Sequence, residues 1–347
     1  MSEITFTAIF LLLVIFLLVL DLGVFHKKDH VISFKEAAIW TAVWIGIALI
    51  FWGFLFFKAE IIHGAQSISD LQALNTKYDH NLNFDNMDYE EGLATYRKTI
   101  AMEYITGYLI EKTLSVDNIF VMIMIFMAFG VNKIYYHRVL FYGILGAIIL
   151  RFIFIFAASA LIQKFSWILV VFGLVLIYSA IKMFIQRNQR ETIDIENHFA
   201  VKFFAKHNLS TTKYHGHDFF TKIDGRHLFT PLFIVLIVIE FSDIIFAFDS
   251  IPAIFSITQD PYIVFSSNIF AILGLRSLFF MLESVMDKFY YLKIGLSVLL
   301  AFVGVKMLLP VFFGIHIGTP ASLSVILSIL ALSIITSVIF PKNTKKS

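Results

Sequence analysis

Cysteine is absent from all 347 residues, which excludes disulfides, thiolate metal sites, iron-sulfur clusters and cysteine nucleophiles. Charge is scarce: 15% of the residues are Asp, Glu, Lys or Arg, against about 25% in soluble proteins. With 59% of residues hydrophobic and a mean hydropathy of +0.83, a soluble globular domain is excluded. A net charge of +2 is too small an excess to point to a nucleic-acid partner. No G-x-x-x-x-G-K-S/T run is present, so the chain carries no P-loop motif for ATP.

What the chain has instead is apolar runs of about 20 residues, the length that crosses a bilayer. They fall at Ile4 to Leu20, Ala37 to Phe57, Glu103 to Phe129, Val139 to Ile162, Ser166 to Ile185, Leu228 to Phe255, Tyr262 to Met281, Leu292 to Phe313 and Ala321 to Phe340. The first lacks a basic leader and a small-residue cleavage site, and reads as a retained helix. The expected fold is therefore all-α: one integral domain over 1–347, a polytopic membrane helix bundle of about nine spans whose first partner is the lipid bilayer.

Lys and Arg in the connections set the orientation, because positive residues are retained on the cytoplasmic side. Assigned to alternate sides, the connections hold 17 basic residues on one side and 5 on the other. The N-terminus is thus expected outside and the C-terminus in the cytoplasm. The long outer connection, Lys58 to Met102, is acidic. The long inner one, Gln186 to His227, holds His198, His207, His215, His217 and His227. Metal gathering is one reading of either loop; a solvated loop is the plainer one, since neither has fixed ligand spacing.

Two stretches of three spans resemble one another. Glu111-x5-Asp117-Asn118 matches Asp243-x5-Asp249-Ser250; Ile144-Leu145-Gly146 with Arg151 matches Ile272-Leu273-Gly274 with Arg276; Ile181-Lys182-Met183 matches Val305-Lys306-Met307. The Gly-to-Arg spacing is five in one and two in the other, so that landmark is looser. The second stretch is offset from the first by three spans, an odd number, so it enters the membrane from the opposite face as an inverted copy. This divides the chain into repeat one (103–185), a cytoplasmic loop (186–227), repeat two (228–313) and a final span with its tail (321–347). Inverted repeats are common in secondary transporters, whose site lies between the copies near mid-membrane. Channels share the architecture; a membrane-embedded enzyme fits it less well.

An ionisable residue at mid-membrane costs about 2.5 to 3.5 kcal/mol on insertion scales and marks a functional site by default. The candidates are Asp21, Glu103, Glu111, Asp117, Glu240, Asp243, Asp249 and Glu283. Residues seven apart share a helix face, so Glu111 with Asn118, and Asp243 with Ser250, form corresponding stripes beside Asp117 and Asp249. Four carboxylates and several neutral oxygens are thereby expected at one site. Pro252 adds another oxygen, because it cannot bond the Phe248 carbonyl four residues back, and a backbone break there would line a cavity. Carboxylate, amide, hydroxyl and carbonyl ligands suit Mg, Ca or Mn rather than Cu or Zn. The plainer alternative makes these acids structural ion pairs with Arg151, Arg276, Lys182 and Lys306.

The segment Glu103-Tyr-Ile-Thr-Gly-Tyr-Leu-Ile-Glu-Lys-Thr-Leu-Ser-Val-Asp-Asn118 closely resembles the signature of the TerC family of integral membrane proteins. So do Glu240-Phe-Ser-Asp-Ile-Ile-Phe-Ala-Phe-Asp-Ser-Ile-Pro-Ala-Ile-Phe255, Asp260-Pro261, Ser267 to Arg276, and the loop residues Tyr214-His-Gly-His217 and Asp224-Gly-Arg226. Departures are mild: Thr113 stands where Ser is usual, Phe248 where a smaller Val is expected, and Ser256 where Ala is common. The resemblance implies a bacterial inner-membrane protein of metal homeostasis, associated with manganese export and tellurium resistance. Carried over, its functional acids are Glu111, Asp117, Asp243 and Asp249, with Asn118 and Ser250.

The reading that results is an efflux transporter for a divalent cation, Mn2+ before others, with no prosthetic group. Its metal ligands are Asp117, Asp249, Glu111, Asp243, Asn118, Ser250 and the carbonyl of Phe248. Four carboxylates exceed the charge of one divalent ion, so Arg151 and Arg276 compensate, and protons are the natural counter-ion. The rival is a membrane scaffold or assembly protein in metal or tellurite stress, its buried charges serving structure alone.

Overall fold

The computed structural model describes residues 3–25, 32–165, 167–186, 199–207, 209–211, 213–216, 218–223, 225–284 and 292–339. Lys27, Lys28, Arg187, Arg190, His198, His217, Asp224, Lys288 and the tail 340–347 lie outside the described residues.

The fold is an all-α polytopic bundle. Its helices are α1 (Glu3–Phe25), α2 (Phe34–Lys58), α3 (Ile68–Tyr78), α4 (Tyr89–Ala128), α5 (Lys133–Lys164), α6 (Ile168–Gln186), α7 (Phe199–Lys206), α8 (Pro231–Phe255), α9 (Pro261–Leu273), α10 (Leu275–Glu283), α11 (Leu292–Phe313) and α12 (Thr319–Ile339). The long connection between α6 and α8 adds one antiparallel hairpin, β1 (Phe220–Ile223) and β2 (Arg226–Phe229).

Every expected span falls on a helix, but three differ in ways that matter. The third span is part of a 40-residue helix, roughly 60 Å at 1.5 Å per residue, and so projects well beyond the bilayer. It starts at Tyr89 because Asp88 caps it, accepting from the Glu91 amide at 2.9 Å, with Glu90 and Glu91 favouring its first turn. By length and composition seven helices could cross a membrane, or eight with the α9–α10 pair. Glu103, Glu111, Lys112 and Asp117 dilute the apolar character of α4.

The seventh span is broken at Gly274 into α9 and α10, bent by 43°. A Cβ there would lie 2.9 Å from Trp44 Cβ and 3.0 Å from Lys112 Nζ. The Lys112 ammonium donates at 3.2 Å to the Ala271 carbonyl near the end of α9, where helical partners run out. The expected break at Pro252 is absent: α8 passes through it and ends three residues later at Phe255. Loss of one amide donor near a C-terminus, where hydrogen bonds are already ending, need not bend the helix.

At the centre α4, α5, α8 and α9 pack against one another, while α6 runs along α11. That last pair approaches closely, since a Cβ on Gly304 would lie 2.9 Å from the Gly173 carbonyl oxygen. Connections sort to two ends of the bundle. At one end His63 reaches Glu3 at 2.7 Å and Asp260 at 2.8 Å. At the other, Tyr214 donates to the Phe129 carbonyl at 2.8 Å and Lys133 meets Glu283 at 2.5 Å.

Candidate functional site

The polar centre of the bundle is built on Arg151 of α5, completely buried. Its Nη1 meets Glu111 Oε1 of α4 in a close ion pair and donates to Asn268 Oδ1 of α9 at 2.9 Å. Its Nη2 donates to Asp243 Oδ1 of α8 at 3.1 Å, with Nε 3.5 Å from Oδ2 of the same carboxylate, and Ser250 Oγ is 3.5 Å from Nη1. Asn268 closes the ring by donating from Nδ2 to Glu111 Oε2 at 3.1 Å. The matched acids of the two resembling stretches thus share one guanidinium. Counted as ionised, the three charged groups sum to one negative charge.

Such a cluster is costly in an apolar interior unless every member is answered, and here the planar fork of arginine answers both acids. Helix periodicity brings it about: Asp243 and Ser250 lie on one face of α8, and Glu111 turns inward on α4 with Ser115 and Asn118, all three buried.

The remaining expected site residues are placed differently. Asp249 is half-buried and accepts from Ser179 Oγ of α6 at 2.7 Å, with the charge of Lys182 acting on it. Asp117 is half-buried beside Asn118 on α4. The Phe248 side chain is exposed and, with Pro252 and Phe154, lines an apolar cavity of about 210 Å³ between α5, α6 and α8. Glu240 seats its carboxylate against Gly146 of α5, and among the described residues its Oε2 has no hydrogen-bond partner.

Arg276 was expected to compensate the same acids, and it does not. Its Nη2 holds Asp21 of α1, through the carboxylate at 2.9 Å and the backbone carbonyl at 2.5 Å. The break at Gly274 puts Arg276 on α10, displaced from the direction of α9. Nor are four carboxylates gathered: among the described residues no three of His, Asp or Glu form a group that could hold a metal ion.

Asn268, Ser179 and the histidines at the Asp260 end of the bundle have no place among the expected site residues. Asn268 could have been noticed as an amide inside an apolar span; nothing local marked Ser179. The His63 side chain, 1% exposed, is gripped on both nitrogens by Glu3 and Asp260, so a neutral ring could donate to only one of them. Burial alone would lower its pKa, but the charges and hydrogen bonds of Asp260 and Glu3 raise it. Asp260 shows the converse: burial would raise it, and His63 holds it below the usual carboxylate range. His80 faces both oxygens of Glu103 at 3.0 Å.

Residues 96–345 match the integral membrane protein TerC family. The chain belongs to the TerC family. Similar proteins extend the match to nearly full length. Membrane protein STKORF319 of Myxococcus xanthus is 45% identical over 339 residues, covering 97% of this chain and 93% of that one. A Photorhabdus laumondii protein is 41% identical over 331 residues (95% and 93% of the two chains). One from Escherichia coli K12 is 38% identical over 327 residues (94% and 92%). The last two carry the name membrane-bound redox modulator Alx, given provisionally. No solved structure matches. The TerC-family match contains every member of the Arg151 cluster, whereas Asp21 and His63 precede it.

Proposed function

We propose that this TerC-family protein exports a divalent cation, Mn2+ in the first place, outward across the bacterial inner membrane in exchange for protons. The N-terminus stands outside and the C-terminus in the cytoplasm. The observation that carries the reading is the meeting of Glu111 and Asp243, matched acids of two inverted stretches, on one buried guanidinium between them. In this reading Asp117, Asn118, Asp249, Ser250 and the Phe248 carbonyl meet the cation. Glu111 and Asp243 join them by exchanging Arg151 for metal. Carboxylates able to take protons balance the charge in turn. The redox role in the relatives' name cannot run here through protein thiols, since the chain has none.

The saturation of Arg151 by its neighbours favours one rival, in which the cluster is a structural pin inside a scaffold. Asp117→Asn and Asp249→Asn separate the two, because each removes a carboxylate outside that pin. Cells carrying either variant at matched membrane abundance should lose protection against excess Mn2+ and accumulate the metal. Wild-type tolerance in both would favour the scaffold.

A further inference from the structure

The outer end of the bundle encloses a second cavity, of about 680 Å³, among the α3–α4 and α8–α9 connections, the first turns of α4, and the end of α11. Its acids are answered by the protein. Glu103 has His80 Nδ1 at 3.0 Å from both of its oxygens, and Asp79 accepts from Gln259 Nε2 at 3.4 Å. Its cations are not. Lys306 of α11 is only 8% exposed, yet among the described residues its ammonium has neither a hydrogen bond nor an ion pair; Glu103 acts on it only through its charge. His80 Nε2 is likewise buried without a partner. Burial opposes a charged His80 ring and the Glu103 carboxylate at Nδ1 favours it; in the imidazolium form Nε2 is a second N–H lacking an acceptor among the described residues.

With His80 protonated, Lys98, Lys306 and His80 exceed Asp79 and Glu103 by one positive charge, within an outer connection that is otherwise acidic at Asp85, Asp88, Glu90 and Glu91; His316 also lines the cavity. The buried donors are what favour an anion: donors without acceptors carry a desolvation cost that a bound acceptor removes. Thr95, Thr99 and Thr258 add hydroxyls to the same lining. A divalent cation would find both carboxylates engaged and two cationic groups facing it.

We propose that this cavity is a binding site for a phosphate-type oxyanion, held by Lys306 and His80 and separate from the Arg151 centre. Phe255, Met307, Pro310 and Val311 give one side of the cavity an apolar wall, so the group can come from a free ion or from the headgroup of an anionic lipid. The inference stands independently of cation export.

The test uses the full chain, purified in phospholipid-free detergent and also in nanodiscs of phosphatidylglycerol or phosphatidylcholine. Inorganic phosphate at constant ionic strength should raise the melting temperature and titrate calorimetrically. Lys306→Met should weaken that binding about tenfold or more, as loss of a charge-assisted contact predicts, and His80→Gln should weaken it less. Lys182→Met, outside the cavity, should leave it unchanged. Stabilisation by phosphatidylglycerol alone, lost in Lys306→Met, would support the site with lipid as its source. If neither phosphate nor phosphatidylglycerol affects the wild type, the proposal is overturned. Binding that survives in both cavity variants shows an adventitious ion only, and tighter Mn2+ binding in Lys306→Met would mark the recess as a cation vestibule. Should Lys306→Met fail to fold, the wild-type titration and His80→Gln still decide.

Discussion

Arg151 and Arg276 stand at corresponding landmarks of the two resembling stretches, and the folded chain uses them for different purposes. Arg151 joins α4, α5, α8 and α9 through Glu111, Asp243 and Asn268. Arg276 fastens the N-terminal α1 to α10 through Asp21. A helix without a counterpart in the other stretch supplies that partner. The lesson is that duplicated landmarks do not ensure duplicated contacts: the spacing of two rather than five residues after glycine, combined with the bend at Gly274, turns the second arginine away from the centre. One arginine sits where function is expected, the other where an additional helix is anchored.

The sharpest way to break this comparison is to remove each cation in turn. Arg151→Met strands two buried carboxylates, which should cost about 3 to 5 kcal/mol and abolish Mn2+ transport. Thermal unfolding of the purified protein and Mn2+ uptake into inverted vesicles measure the two effects. Adding Glu111→Gln and Asp243→Asn should restore much of the stability and none of the transport. A single Arg151→Met variant that melts like the wild type would deny the cluster its place as the bundle's polar centre.

Arg276→Met strands one carboxylate, and its cost should be nearer 2 kcal/mol, roughly half as large. Transport by the protein that remains folded should persist, because α1 and not the centre loses its anchor. Equal loss of transport in a well-folded Arg276→Met protein would erase the functional difference between the arginines.

His63 sharpens the contrast from a third position. Both arginine pairs keep their cation at any physiological pH, whereas the link from α1 to the α8–α9 connection depends on an imidazolium. Its raised pKa means that this stability is fully present below the ordinary value of 6.5 and is lost as pH rises through the higher folded-state value. The melting temperature should therefore fall as pH rises above 6.5 through the folded-state value, and His63→Gln should flatten that fall. Asp260 acts in the opposite sense: its depressed pKa gives stability that is present above the ordinary 3.8 and is lost as pH falls through the lower folded-state value.

The smallest effect on stability is expected at Pro252. An interior proline costs roughly 3 kcal/mol, but this one lies in the last turn, so Pro252→Ala should raise the melting temperature only slightly. If the Phe248 carbonyl is a ligand, the new amide competes for it and transport should decline without loss of protein. A Pro252→Ala protein transporting at the wild-type rate removes that oxygen from the site.

Much of this molecule was legible without coordinates, because the signals are local. A run of about 20 apolar residues is costly to leave in water, and the expected spans fall on helices, the seventh on the bent α9–α10 pair. Asp88 and its following glutamates could have announced the early start of α4, but a search for apolar length passes over a helix that leaves the bilayer. The acids Glu111 and Asp243 were conspicuous because charge inside an apolar run is costly wherever it folds. The choice of Pro252 over Gly274 as the broken point failed for a different reason. Proline's missing donor is written in its chemistry, whereas Gly274 matters through Trp44 and Lys112, which belong to other helices.

By itself, then, the sequence determined an all-α membrane bundle and which of its residues would be expensive to bury, since both follow from the transfer of each segment out of water. The tertiary structure decided which charge answers which. Arg151 lies 40 residues from Glu111 and 92 from Asp243, and Arg276 lies 255 from Asp21. Every buried acid has several candidate cations along the chain. Only the packing of particular helix faces, bent where a glycine admits close approach, brings one of them within hydrogen-bond reach.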